Sequence, residues 1–211
     1  LFVGTEQGYA IAERGDDGWQ LTQRHDNISG RVLTMAEVNA TTLLLGTEGD
    51  GAIKITLDTD SGEEIARHAL GADDGIAYGE YPNALMFELS DGTLGASTER
   101  GFFQWSNDRF VELDIGNISE VLGQDELVHI SEVRDGELWA LSYNQIYRRD
   151  GEGNWHREPV DALLDGAVAD ITAYGDSTLV TTGSRILLFD ETGYAAHTPT
   201  PRVALRQVSQ T

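Results

Sequence analysis

A short leucine-led segment returns five times along this chain, and its spacing limits the possible folds more than any other feature. The copies are Leu1-Phe-Val-Gly-Thr5, Leu43-Leu-Leu-Gly-Thr47, Leu94-Gly-Ala-Ser-Thr98, Leu138-Trp-Ala-Leu-Ser142 and Leu179-Val-Thr-Thr-Gly183, with leucines 42, 51, 44 and 41 residues apart. A period of about forty residues made of short strands marks propeller blades, each a small sheet that cannot bury both faces alone and needs its neighbours.

Each copy is followed by the same succession. A polar or glycine-containing turn leads into a second β-prone run at Tyr9–Glu13, Ala52–Thr56, Phe102–Ser106, Ile146–Asp150 and Ile186–Asp190. A turn rich in Asp, Gly and Asn then precedes a third, more polar run at Trp19–Arg24, Glu64–Leu70, Phe110–Ile115, Trp155–Pro159 and Tyr194–Thr198, suited to the outer edge of a blade. A fourth run precedes every leucine segment but the first, at Val32–Val38, Leu85–Leu89, Val128–Val133 and Val168–Ala173. The copy missing at the start has a counterpart at the end, where Val203-Ala-Leu-Arg-Gln-Val208 shows the same alternation.

The expected architecture is therefore all-β: a five-bladed β-propeller of four-stranded antiparallel blades, closed by N- and C-terminal strands that share one blade. A single domain would span 1–211, with blade units at about 1–24 plus 203–209, 32–70, 85–115, 128–159 and 168–198. An excerpt from a longer propeller, cut at a strand boundary, is the competing reading.

Composition narrows the partners. Acidic residues outnumber basic ones 36 to 14, for a net charge of −22, and Lys54 is the only lysine. Nucleic acid and anionic membrane surfaces are unsuitable partners, because no basic patch can be assembled to hold them. The absence of cysteine excludes disulfides, thiolate catalysis and Cys-type zinc sites, and leaves the redox compartment open. No apolar stretch is long enough for a membrane span, so direct insertion of this segment is not expected. The chain begins at Leu1 without a basic-then-apolar leader, which fits either a removed leader or an excerpt.

The first two leucine segments, together with Asp26-Asn-Ile-Ser-Gly-Arg-Val-Leu-Thr-Met-Ala-Glu37, Asp91-Gly-Thr-Leu94 and Asp135-Gly-Glu-Leu-Trp139, resemble the two-component-regulator propeller repeat. The likeness covers nearly the whole chain; it is good in the first three units and degenerate in the last two. It implies the periplasmic or extracellular sensing region of a bacterial signalling protein responding to glycans or other external cues. Five units are few for that family, and its repeat carries no catalytic residues to transfer. A short repeat motif specifies a fold better than a function.

The residues that the repeat places at the loop end of the blades form the candidate site. Tyr78, Tyr81, Asp73, Asp74, Arg100, Tyr143, Asn144, Arg185 and His25 lie in inter-blade segments or in turns that follow the leucine segments; His129 lies on an innermost run, where with Ser131 it can face a central channel. Glu6, Glu48, Asp50 and Glu99 belong to the same turns. Tyrosines beside carboxylates suit sugar rings, and the expected partner is a small molecule, a glycan or a protein on the loop face. Carboxylates with amides suit a hard cation such as calcium, but no ligand spacing supports one, so no cofactor or metal is expected. The remaining histidines, His68, His156 and His197, fall on outer runs and are expected at the surface.

The long segment Gly71–Asn83 is either a tolerated insertion or a recognition element. The enzymatic alternative is a glycan-active hydrolase using a carboxylate pair drawn from Glu37, Glu88, Glu132 and Asp170. The first three sit near strand ends, where acidic residues form turns, and no nucleophile elbow, HExxH or phosphate loop is present, so no catalytic residue is expected.

Overall fold

The computed structural model describes residues 1–122, 128–134, 136–142, 145–158, 168–175, 177–182 and 185–190. The protein is all-β and consists of five antiparallel blades. It divides into two compact units, Leu1–Ile115 with Leu122–His129, and Gly116–Val121 with Ile130–Thr211.

In the first unit, blade one comprises β1 (Phe2–Thr5), β2 (Gly8–Gly15) and β3 (Gly18–His25). Blade two follows as β4 (Val32–Asn39), β5 (Thr42–Thr47), β6 (Ala52–Leu57) and β7 (Glu64–Ala69), and blade three as β8 (Leu85–Glu88), β9 (Leu94–Thr98), β10 (Gly101–Ser106) and β11 (Arg109–Glu112). Blade four, which enters the second unit, comprises β12 (His129–Arg134), β13 (Glu137–Leu141), β14 (Ile146–Arg149) and β15 (Trp155–Arg157). Blade five comprises β16 (Val168–Tyr174), β17 (Ser177–Thr182) and β18 (Ile186–Asp190).

Within every blade, strands adjacent in sequence are adjacent in the sheet. Among the described residues blades two, three and four have four strands and blades one and five have three. The runs expected to complete the other two, 203–209 and 194–198, lie outside the described residues.

In blades two to five the leucine segment becomes the second strand, and β5 shows the cause, being apolar on both faces; in blade one the segment is β1, the first described strand. In β5, Leu43 and Leu45 pack toward blade one with Tyr9, Ile11, Val32, Ile53 and Ile55, while Leu44 packs toward blade three with Met86, Ala96, Phe103 and Phe110. A strand sandwiched between two blades needs a continuous apolar run instead of an alternating one, and each fully buried leucine contributes about 1.5–3 kcal/mol. The outer strands need no such run: β3 and β7 leave Trp19, Leu21 and Ile65 exposed. In the second unit the corresponding layer joins Val133, Trp139, Leu141 and Ile146 to Ile171, Val180, Leu187 and Phe189.

The repeated glycine has a steric cause. A Cβ at Gly46 would lie 2.5 Å from the Ala84 carbonyl oxygen and 2.5 Å from Thr34 Oγ1, and one at Gly4 would lie 2.9 Å from the Val32 carbonyl oxygen. The chain entering the next blade passes over these positions, so the glycine permits close blade-to-blade approach. The threonine after it closes the turn: Thr47 donates through its amide and hydroxyl to the Gly51 carbonyl, and its Oγ1 accepts from the Asp50 amide. In blade five the residue in this role is Thr182, whose Oγ1 accepts from the Arg185 amide, so the motif there runs one residue earlier than the leucine alignment indicates.

Two departures from the expected all-strand plan are local. Ala72–Asp74 forms a 3-10 turn, with the Asp74 carboxylate accepting from the Gly71 amide. Ile118–Val121 forms a single helical turn with Ile118 buried. Asn117, just before it, accepts from the Trp155 amide through Oδ1 at 2.8 Å, which ties the turn to β15.

The β10–β11 hairpin turns on Asn107 and Asp108, both at positive φ, the two-residue geometry that such residues favour. Asp108 is held from the neighbouring blade by Lys54, whose Nζ lies 2.7 and 2.8 Å from its two carboxylate oxygens and 5.9 Å from the centre of the Trp105 ring.

Candidate functional site

The turns after β1, β5 and β9 and the inter-blade segments 26–31 and 70–84 gather at one end of the first unit, because their backbones bond to one another. Ile28 donates to the Gln7 carbonyl at 3.1 Å, Glu48 to the Arg31 carbonyl at 2.9 Å, and Gly51 to the Pro82 carbonyl. Side chains add further ties: Asp50 Oδ2 accepts from the Gly30 amide, Asn83 Oδ1 accepts from the Gly49 amide, and Asn83 Nδ2 donates to Glu99 Oε1. Turns from three consecutive blades are thus fixed as one surface before any ligand arrives, which lowers the ordering cost of binding.

Arg31 is the charged centre of this surface. Its Nη2 lies 3.1 Å from Glu48 Oε2 on blade two and its Nη1 lies 4.0 Å from Glu6 Oε1 on blade one. All three side chains are accessible, at 48%, 60% and 83% exposure respectively, so they remain available to a ligand. Tyr81, at 65% exposure, belongs to the inter-blade segment 70–84 of the same loop end, one residue before the Pro82 carbonyl that caps the Gly51 amide. The surface therefore offers carboxylate acceptors, a guanidinium donor and an aromatic ring, the set that engages hydroxyl-rich ligands.

The sequence-selected residues are placed as follows. Tyr81 and Arg100 are exposed, and Arg100 leans on the Tyr78 carbonyl through Nε at 3.4 Å. The Tyr78 hydroxyl is committed within the fold: it donates to the Leu70 carbonyl at 2.9 Å and accepts from the Ala52 amide at 2.8 Å, and burial pushes its pKa up to about 12. The long segment around it is accordingly packed on one side, through Ile76 and Tyr78, and presented on the other, through Tyr81. Asp73 is exposed on the 3-10 turn, and Asp74 caps that turn while meeting His68 at 3.1 Å.

His25 is a packing residue at the joint between blades one and two. Its ring stacks on Tyr9 at 4.6 Å and its Nδ1 lies 3.6 Å from Glu64 Oε2. Glu64 accepts there from the Tyr9 hydroxyl at 2.9 Å and from Arg67 Nε and Nη2 at 2.8 and 2.9 Å, and Arg67 Nη1 reaches the Asn27 carbonyl. Burial alone would raise the Glu64 pKa, but the hydrogen bonds from Arg67 and Tyr9 outweigh it and hold the carboxyl below its usual range.

His129 opens β12 and is half-buried, and Arg185 is exposed ahead of β18. Tyr143 and Asn144 lie outside the described residues. Of the carboxylates weighed for catalysis, Glu132 accepts from the Gly136 amide and so shapes the β12–β13 turn. No group of three or more His, Cys, Asp or Glu residues suited to a metal occurs among the described residues.

Two contributors escaped the sequence reading, Arg31 and Asn83. Both sit one or two residues before an innermost strand, Arg31 before β4 and Asn83 before β8, where the chain descends from the loops. That shared place in the repeat was the available signal.

No family model and no curated protein matches this sequence. Solved structures do match. The extracellular domain of the hybrid two-component system BT4673 from B. thetaiotaomicron superposes with a TM-score of 0.61 at 16% identity, over 97% of this chain and 25% of that one. The extracellular domain of the hybrid two-component system BT3049 from the same organism gives 0.51 at 13% identity, with coverages of 97% and 25%. The β-propeller domain of Myceliophteria thermophila Cps50 (Swd1) gives 0.52 at 13% identity, with coverages of 98% and 67%. The chain spans about a quarter of the length of the two extracellular domains. At these identities the likeness is one of fold: this chain has the β-propeller architecture also found in extracellular domains of two-component-system proteins.

Proposed function

We propose that the chain is a non-catalytic, ligand-binding propeller serving as an extracytoplasmic sensing element of a signalling protein, and that it takes a hydroxyl-rich ligand such as a glycan on the loop surface of its first unit. The carrying observation is Arg31 set between Glu6 and Glu48, on turns of two different blades, with Tyr81 exposed on the inter-blade segment that bonds to the Gly51 turn. A ligand that engages the two carboxylates spans a blade joint, so its binding is sensitive to how the blades meet.

Fold likeness to extracellular domains of two-component systems supports the sensing role, and the chain has no described helix long and apolar enough to cross a membrane. The acidic turns favour neutral or cationic ligands over anionic ones on this surface.

Titration calorimetry against a panel of neutral oligosaccharides tests the reading. At least one is expected to bind saturably without turnover, with affinity lowered about tenfold or more by Glu48→Gln or Tyr81→Ala, the loss typical of a charged hydrogen bond or a stacking ring. Absence of binding across the panel overturns the ligand class. Hydrolysis abolished by Glu132→Gln or Glu88→Gln overturns the non-catalytic assignment.

A further inference from the structure

The fourth blade carries a cleft of about 510 Å³ at the strand ends opposite its motif turn, bordered by Glu137, Arg148, Arg149, Asp150, His156 and Glu158. Its volume suits a ligand of monosaccharide or dipeptide size. Four of its ionisable groups are occupied in two pairs, Glu137 with Arg148 and Asp150 with His156. Glu137 accepts from Arg134 Nη1 at 3.0 Å through one oxygen, and from Arg148 Nη2 at 3.1 Å and Trp139 Nε1 at 3.0 Å through the other. Asp150 meets His156 Nε2 at 2.6 Å and accepts the Glu152 and Asn154 amides; His156 foremost, then these amides, draw its pKa down to about 2.

Arg149 stands apart from this pairing. It is half-buried, its Nε donates to the Gly153 carbonyl at 3.1 Å, and no ion pair to a carboxylate forms at it among the described residues. In a chain where acids outnumber bases 36 to 14, a half-buried arginine that among the described residues meets only a carbonyl, next to an aspartate committed elsewhere, is an anomaly that calls for an anion. The planar guanidinium fork presents two parallel donors that match a carboxylate or a phosphate. Beside it Arg148 lies 5.2 Å over the buried Trp139 ring and is paired with Glu137, and the buried Glu158 also borders the cleft, so Arg149 is the lining group left to meet an anion.

We propose that the blade-four cleft is an anion-binding site, separate from the loop surface of the first unit, that takes a small organic ligand through its carboxylate or phosphate on Arg149. It does not depend on the glycan reading above, because it draws on different residues and opposite ligand charge.

The test is titration calorimetry with glucuronate, glucose 6-phosphate and glucose, which present a carboxylate, a phosphate and no charge on similar rings. One or both anions are expected to bind at a single saturable site at least tenfold more tightly than glucose. Arg149→Gln should weaken that binding at least tenfold, Arg149→Lys should fall between it and the parent, and Arg31→Gln should leave it unchanged, with unaltered melting temperatures confirming the fold. Arg149→Lys retains the charge and so serves even if Arg149→Gln melts early. The proposal is overturned if neither anion binds saturably, if affinity survives both Arg149 variants, or if Arg31→Gln abolishes it.

Discussion

Glu64 in the first unit and Glu137 in the second are built from the same parts, a half-screened glutamate with an arginine, but they join blades in opposite ways. At Glu64 the acid itself makes the crossing: it sits on blade two and accepts from Tyr9 on blade one, with Arg67 braced on the Asn27 carbonyl. At Glu137 the partners among the described residues, Arg134, Trp139 and Arg148, belong to the same blade. The crossing to blade five is made by the base, as Arg134 donates to the Ser177 carbonyl at 2.7 Å and to Thr178 Oγ1 at 3.2 Å. An identical ion pair thus has a different structural value depending on which partner spans the joint.

The sharpest way to break this comparison is to remove each acid. Glu64→Ala leaves a buried phenol and a guanidinium without their shared acceptor and is expected to cost about 3 kcal/mol in urea denaturation, near the range for breaking a buried pair. Glu137→Ala leaves the Arg134 bonds to blade five in place and is expected to cost about 1.5 kcal/mol, the scale of lost charged hydrogen bonds. Equal losses would show that the direction of crossing does not matter.

Acid sharpens the same contrast. The Glu64 carboxyl is held below its usual range in the folded state, so its contribution is fully present above the unfolded value near pH 4 and is lost as pH falls through the lower folded value. Asp150, at about 2, behaves alike. Denaturation midpoints measured downward from pH 5 should therefore decline, and the decline should be shallower in Glu64→Gln than in the parent. A parallel decline would remove Glu64 as a source of acid sensitivity.

The smallest expected effect is that of Tyr78→Phe, which deletes the bonds to the Ala52 amide and the Leu70 carbonyl while keeping the ring. A loss of about 1–2 kcal/mol is expected by thermal or urea unfolding, and a neutral result would mean that water replaces both bonds.

The blades were legible because their cause is local and repeated. Apolar runs such as Leu43–Leu45 announce strands buried on both sides, Gly4 and Gly46 mark where the next blade crosses, and Asn107-Asp108 marks a two-residue hairpin turn. The site was legible in outline only. Repeat position selects the turns that carry Glu6, Glu48 and Tyr81, but it does not say that the Tyr78 hydroxyl turns inward to Ala52, or that His25 stacks on Tyr9. Those fates are decided by partners 16 to 26 residues away, and no periodicity encodes them. Arg31 was missed for the same reason, since its meaning lies in two turns on either side of it. The one-residue offset at Thr182 was hidden because counting from Leu179 sets Thr182 on the glycine position of the motif, and only its turn bonds to Arg185 give it the threonine role.

Lys54 holds Asp108 across the seam between blades two and three, and it is the sole lysine of the chain. Its ε-amine is consequently a unique chemical handle. An amine-reactive fluorophore or crosslinker has one side-chain target here, and its reaction rate reads the opening of a single seam. The chain carries its own strain gauge, placed by sequence at the seam next to the one that a ligand bridging Glu6 and Glu48 would load.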